Sequence, residues 1–181
     1  MKYFTKQLYC GYNTRDDKII KKSISKWKRN VGIYSDYLKK VHSKLPKKLY
    51  EIACNVDLHD GWLLSFSYGD YLKTEKDWKR KRKHYAQLIV CPAQGKYNSY
   101  TLMFTEIRKC VWDYPTTELP LGCMEFHPSE WAYHEVEVMK NGWISFEVWF
   151  FSGATLLVEF KGFSCKRERT TSATLPMKWG R

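Results

Sequence analysis

The chain has 181 residues, a length that suits one domain, and 44% hydrophobic and 17% aromatic residues supply a core. Lys+Arg exceed Asp+Glu by 31 − 19 = 12. That balance suits nucleic acid, an anionic membrane or an acidic protein face, and does not choose among them. No apolar stretch reaches the length of a membrane span, and "MKYFTKQLYCGYN" lacks the apolar run of a secretory signal, so a cytoplasmic protein is expected.

The first predicted element lies in "TRDDKIIKKSISKWKRNVG", where Ile20, Ile24, Trp27 and Val31 recur at helical spacing. Thr14 is placed to cap it, Asp16 and Asp17 suit its positive end, and Gly32 reads as its stop. A second helical stripe follows at Tyr34, Leu38, Val41 and Leu45. Pro46 ends it and opens a third helix, "PKKLYEIACN". Lysines fill the opposite faces and read as solvated.

The period changes from helix to strand at "LHDG". In "WLLSFSY", Trp62, Leu64, Phe66 and Tyr68 fall on one face of a strand, with Ser65 and Ser67 on the other. The basic "YLKTEKDWKRKRKH" comes next. "YAQLIVCP" and "SYTLMFTEIRKCVW" read as two strands joined around Gly95, and "DYPTTELPLG" as a Pro-rich surface connection.

The clearest sheet signal is "YHEVEVMKNGWISFEVWFFSGATLLVEFKGF", which reads as three strands and two tight turns. A two-residue Asn141-Gly142 turn would set Glu137 against Phe146 and mix core with solvent residues. A three-residue loop, Lys140-Asn141-Gly142 with a left-handed Gly142, repairs the register. Val138 then faces Ile144, and Val136 faces Phe146. A Phe151-Ser152-Gly153 loop likewise sets Val148 against Leu156 and Phe146 against Val158. One face becomes core: Val136, Val138, Ile144, Phe146, Val148, Phe150, Leu156, Val158 and Phe160. The other mixes rings with carboxylates: Tyr133, Glu135, Glu137, Trp143, Glu147, Trp149, Leu157 and Glu159. "YTLMFTEI" and "ATLLVEFKGF" form a weak repeat, suggesting similar hairpin units.

The expected fold is α+β: N-terminal helices packed on a C-terminal antiparallel β-meander of about five to seven strands. One domain spans 1–165, helical over 14–56 and sheet over 58–165. Residues 166–181 read as a basic flexible tail.

His59-Asp60 is the first place where chemistry could sit. Such a pair binds metals or moves protons, and HD phosphohydrolases carry one on helices with further His and Asp ligands. Here it precedes a strand without a helical ligand set. The favoured reading is a structural turn at His59, Asp60 and Gly61, the Asp side chain bonding backbone amides and His59 bonding a carbonyl. "HPSEWAYHE" offers His127, Glu130, His134 and Glu135 at no metalloprotease spacing, and His134 falls on the core face. Cys10, Cys54, Cys91, Cys110, Cys123 and Cys165 form no CxxC pair, so no metal or cofactor is expected.

Two surfaces invite partners. Register sets Glu135 opposite Glu147, and like charges across a strand pair call for a compensating cation. A helix lysine is the expected source. Left open, the face of Tyr133, Glu135, Glu137, Trp143, Glu147 and Trp149 would be a protein-binding site. Alternatively Lys76, Trp78, Lys79, Arg80, Lys81, Arg82 and Lys83 interleave positive charge with a ring, as single-stranded nucleic acid requires.

"MKYFTKQLY" and "LHDGWLLSFSY" resemble a bacterial family without established activity, whose members open on an "MKYFTKE-Y" segment. After helices, these carry a Leu/Phe-His-Asp turn leading into a β-sheet. "EWAYHEVEV…GWISFEVWFFSGATLLVEFKGF" is similar in pattern, so the likeness covers most of the chain, though the helical region here is shorter. In fold style the chain also resembles immunity proteins of polymorphic toxin systems. That likeness implies a non-catalytic module binding another protein, such as a cognate toxin. A nucleic-acid-associated protein is the second expectation, and a metal-dependent hydrolase through His59 and Asp60 the third.

Overall fold

A computed structural model describes residues 1–71, 83–93, 98–114 and 130–169. It is α+β: among the described residues, three N-terminal helices precede an antiparallel sheet of eight strands. The helices are α1 (Lys6–Tyr12), α2 (Asp17–Val41) and α3 (Lys47–Asn55). The strands are β1 (Gly61–Tyr71), β2 (Lys83–Cys91), β3 (Asn98–Thr105), β4 (Lys109–Asp113), β5 (Glu130–Val138), β6 (Ile144–Phe150), β7 (Thr155–Phe160) and β8 (Gly162–Arg169).

Helix α1 lies ahead of the first expected helical residue. Thr5 caps it, its side chain accepting from Leu8 N at 3.3 Å, and Leu8 is its one buried residue. Helix α2 merges the first two expected helices into 25 residues. Asp16, not Thr14, caps it, accepting from the amides of Lys18 and Ile19. Gly32 does not stop it. Trp27, Tyr34, Leu38 and Val41 keep one helical phase across the glycine, and their burial outweighs the ~1 kcal/mol a mid-helix glycine costs.

The strand order is β4-β7-β6-β5-β1-β2-β3-β8. β3 pairs with β8, and β4, which follows β3 in the chain, pairs with β7. The two ends of the order are thus one pair of bent ribbons, and the sheet closes on itself as six ribbons. Both ribbons bend together. "SYTLMFTEIRKCVW" breaks into β3 and β4 at Glu106, whose φ is 52°. The partner ribbon breaks at Lys161, where Gly162 lies against Thr105; a Cβ there would stand 2.1 Å from Thr105 Oγ1. The two segments read as a repeat meet only where these ribbons bend, through Phe104–Phe163 and Thr105–Gly162. β8 continues its pairing to Arg169, so the strand extends into the tail expected from residue 166.

The β5–β6–β7 register matches the expected one. Val136 pairs with Phe146, Val138 with Ile144, Phe146 with Val158 and Val148 with Leu156. Both loops hold three residues, with Gly142 at φ 72° and Gly153 at φ 85°. Phe104, Phe146, Phe150, Leu156, Val158 and Phe160 are fully buried inside. β1 departs from its expected alternation. A bulge at Leu64 shifts the register, so Leu63 rather than Leu64 enters the core.

The seam between β1 and β5 is short. Among the described residues, only Gly61–Trp131 and Trp62–Glu130 pair across it. Further along β5, α2 supplies partners: Val136 N donates to Tyr34 Oη at 2.7 Å and Val138 N to Tyr37 Oη at 2.8 Å. Two helix hydroxyls thus satisfy backbone groups that a neighbouring strand would otherwise take. Leu38, Val41, Leu49 and Ile52 join the barrel core from the helices.

Candidate functional site

The mixed face of β5–β6 is largely covered. Glu135 is buried opposite Glu147, and the N-terminal segment serves both carboxylates. Lys2 N, Tyr3 N and Phe4 N donate to Glu135 at 2.6, 2.7 and 2.7 Å. The Met1 α-amino group lies 2.6 Å from Glu147. Compensation therefore comes from backbone donors and an amine, where a helix lysine was expected. Asn30 of α2 holds the segment from its other side, donating to Tyr3 O at 2.6 Å. Of the residues expected to form an open protein-binding face, Trp149 is also buried and Tyr133 is partly buried. Glu137 remains exposed, and Trp143 lies under Arg108 and Lys161.

Covering this face creates a cavity of about 510 Å³ beside it. Helix α1 contributes Tyr9 and Tyr12, α2 contributes Ile24, Trp27 and Lys28, and Asn13 closes α1. His59, Asp60, Tyr133 and Phe151 complete the lining. Tyr133 is the hub: Trp27 lies 4.6 Å, His59 4.8 Å and Tyr9 6.4 Å from its ring centroid. α1 approaches α2 closely because Gly11 has no side chain; a Cβ there would stand 2.4 Å from Ser23 Oγ.

The turn at His59, Asp60 and Gly61 is present, with its roles redistributed. Asp57 performs the side-chain-to-amide bond expected of Asp60, accepting from His59 N at 3.0 Å. Gly61 N donates to Leu58 O at 2.9 Å. Gly61 admits no side chain, since a Cβ would meet the carbonyls of Cys91 and Leu58 at 2.8 Å. Asp60 sits at φ 58°, which Asp tolerates better than most residues. Its carboxylate stands at the cavity wall, 3.4 Å from His59 Nε2.

Hydrogen bonding fixes the two histidines in opposite ways. His59 Nδ1 lies 2.8 Å from Ala132 O. A carbonyl only accepts, so Nδ1 carries the proton, and in the neutral ring Nε2 is an acceptor. His134 Nδ1 instead receives the indole N–H of Trp131 at 3.2 Å. That ring packs against Phe146, and burial pushes its pKa down to about 4. Burial also raises the Tyr9 and Tyr133 phenols, and Asp60 adds to both shifts.

Among the described residues, no group of three His, Cys, Asp or Glu forms a metal-holding set. Lys76, Trp78, Lys79, Arg80, Lys81 and Arg82 lie outside the described residues, and the backbone of Lys83 opens β2. His127 also lies outside them. No described helix is long and apolar enough to cross a membrane. Sequence reasoning singled out His59, Asp60 and Tyr133 but missed Tyr9, Tyr12, Trp27 and Phe151 as their companions. The aromatic density of "YFTKQLYCGY" was the available signal.

No family model, curated protein or solved structure matches the chain.

Proposed function

We propose that the protein is a binding module that grips a partner protein through the aromatic cavity between α1, α2 and the His59-Asp60 turn. The observation behind this reading is the cavity itself. Rings from four separate segments converge on Tyr133, and a carboxylate stands at the wall. A pocket of this kind, apolar with few polar groups, is the usual form of a recognition site. Large rings surrounding a desolvated anchor are the usual energetic centre of a protein interface. Toxin neutralisation is the particular role suggested by the likeness in fold style, and that likeness is its support.

The test is a comparative capture. Immobilised wild type, an Ile24→Trp variant that fills the cavity, and a Val111→Lys control on β4 are exposed to one lysate. Circular dichroism confirms that each is folded. The expected result is a protein retained by wild type and the control and lost by Ile24→Trp. A retained set unchanged by filling the cavity would remove the cavity as the recognition site.

A further inference from the structure

We infer that the cavity accepts the guanidinium of an arginine side chain presented by the partner. This inference rests on the binding reading above and gives it a ligand chemistry.

The argument begins with donors and acceptors. His59 Nδ1–H is committed to Ala132 O, so in the neutral ring Nε2 and the facing Asp60 Oδ1 are two acceptors 3.4 Å apart. With the ring neutral, no proton of their own lies between them. The arrangement is complementary to a group with several N–H donors on one rigid frame. Guanidinium carries five such donors, accepts nothing and stays charged at any physiological pH.

The rings favour the same occupant. Trp27, Tyr9, Tyr133 and Phe151 line the space beside these acceptors. A cation over aromatic faces gains about 0.5–1 kcal/mol when exposed and ~2 kcal/mol or more when desolvated. A planar guanidinium also stacks on such rings, which an ammonium cannot do.

The charges that act on the cavity phenols are negative despite the chain's excess of 12 positive charges. Asp60 helps raise both partly buried phenols, and Glu130 adds to the shift of Tyr9. Lys28 lines the cavity but opposes neither shift, and its side chain is exposed. Asp60 is exposed as well, with 58% of its side chain accessible, so what distinguishes the two charges is that only Asp60 acts on the phenols.

The test uses the whole chain and Nα-acetyl-arginine amide as the probe, followed by amide and indole NMR shifts. Asp60→Asn is the decisive variant. It removes the charge, keeps the shape, and asparagine tolerates a left-handed φ at least as well. Saturable shifts at His59, Asp60 and the Trp27 indole are expected, weakened roughly tenfold or more in Asp60→Asn. The neutral isostere Nα-acetyl-citrulline amide should bind about tenfold more weakly than the arginine probe. Equal binding of citrulline, an unchanged affinity in Asp60→Asn, or shifts spread away from the cavity would overturn the inference. Tighter binding of tetramethylammonium would also overturn it, by assigning the site to a free quaternary cation. A cavity-dependent partner in the capture experiment, combined with no arginine binding, would sink this inference and leave the binding reading standing.

Discussion

Glu135 and Glu147 stand directly opposite each other on β5 and β6, and the N-terminal segment supplies a donor to both. Two like charges across a strand pair would ordinarily destabilise it. Here three backbone N–H groups converge on the buried carboxylate, so the pair fastens residues 1–4 to the barrel. That attachment leads the chain into α1 and places Tyr9 and Tyr12 in the cavity wall.

Removing the carboxylate should therefore loosen more than one contact. Glu135→Ala leaves buried donors without an acceptor, and hydrogen bonds to a charged group are worth about 1.5–3 kcal/mol each. A loss of roughly 3 kcal/mol or more is expected in urea denaturation, with Glu135→Gln losing less. A loss under ~1 kcal/mol in Glu135→Ala would mean that the segment is not held this way.

Tyr34 Oη is the partner of a buried strand amide, Val136 N, at 2.7 Å. Tyr34→Phe keeps the ring and orphans that amide, at an expected cost of about 1–3 kcal/mol. Tyr37→Phe, at the less buried Val138 amide, should cost less. Equal and negligible losses in both would show that the β5 edge does not depend on these hydroxyls.

Acid stability should report His134. Its pKa falls from an ordinary 6.5 to about 4 in the fold, so between those values the unfolded chain binds a proton that the folded chain does not. Stability is then full above pH ~6.5 and falls as pH drops through the window, by roughly 3 kcal/mol at most. Protonation would also set an N–H against the Trp131 indole N–H. His134→Gln, which offers an amide oxygen to that indole, should flatten the dependence in this range. An unchanged slope would assign it to other groups.

Gly32 offers a gain. It lies inside α2, exposed, and a Cβ added there would meet no atom within 4 Å. Gly32→Ala should stabilise the protein by about 0.5–1 kcal/mol, measured as a raised denaturation midpoint. A destabilisation would indicate that the helix bends there for a reason its contacts do not reveal.

The hairpins were legible because two independent signals agreed. Alternation at Val136, Val138, Phe146 and Val148 fixed the faces, and the glycines at 142 and 153 fixed the loop lengths. Other features carried no local signal. Helix α1 buries only Leu8, too little for a periodicity. The Leu64 bulge follows from pairing with β2, and barrel closure from pairing between β3–β4 and β7–β8. Gly32 reads as a stop on local propensity alone, and the core that α2 covers overrides that propensity. At the site, His59, Asp60 and Gly61 were readable as a turn. The cavity was not, since its walls come from segments more than a hundred residues apart in sequence, such as Tyr9 and Tyr133.

Amide hydrogen exchange at Tyr3 and Phe4 tests most directly whether the clamp on Glu135 builds the cavity. Both amides should exchange far more slowly than in an unstructured chain, and Glu135→Gln should reduce their protection along with that of α1. Exchange at unstructured rates in the wild-type protein would contradict the account, because the wall carrying Tyr9 and Tyr12 would then not be held through Glu135.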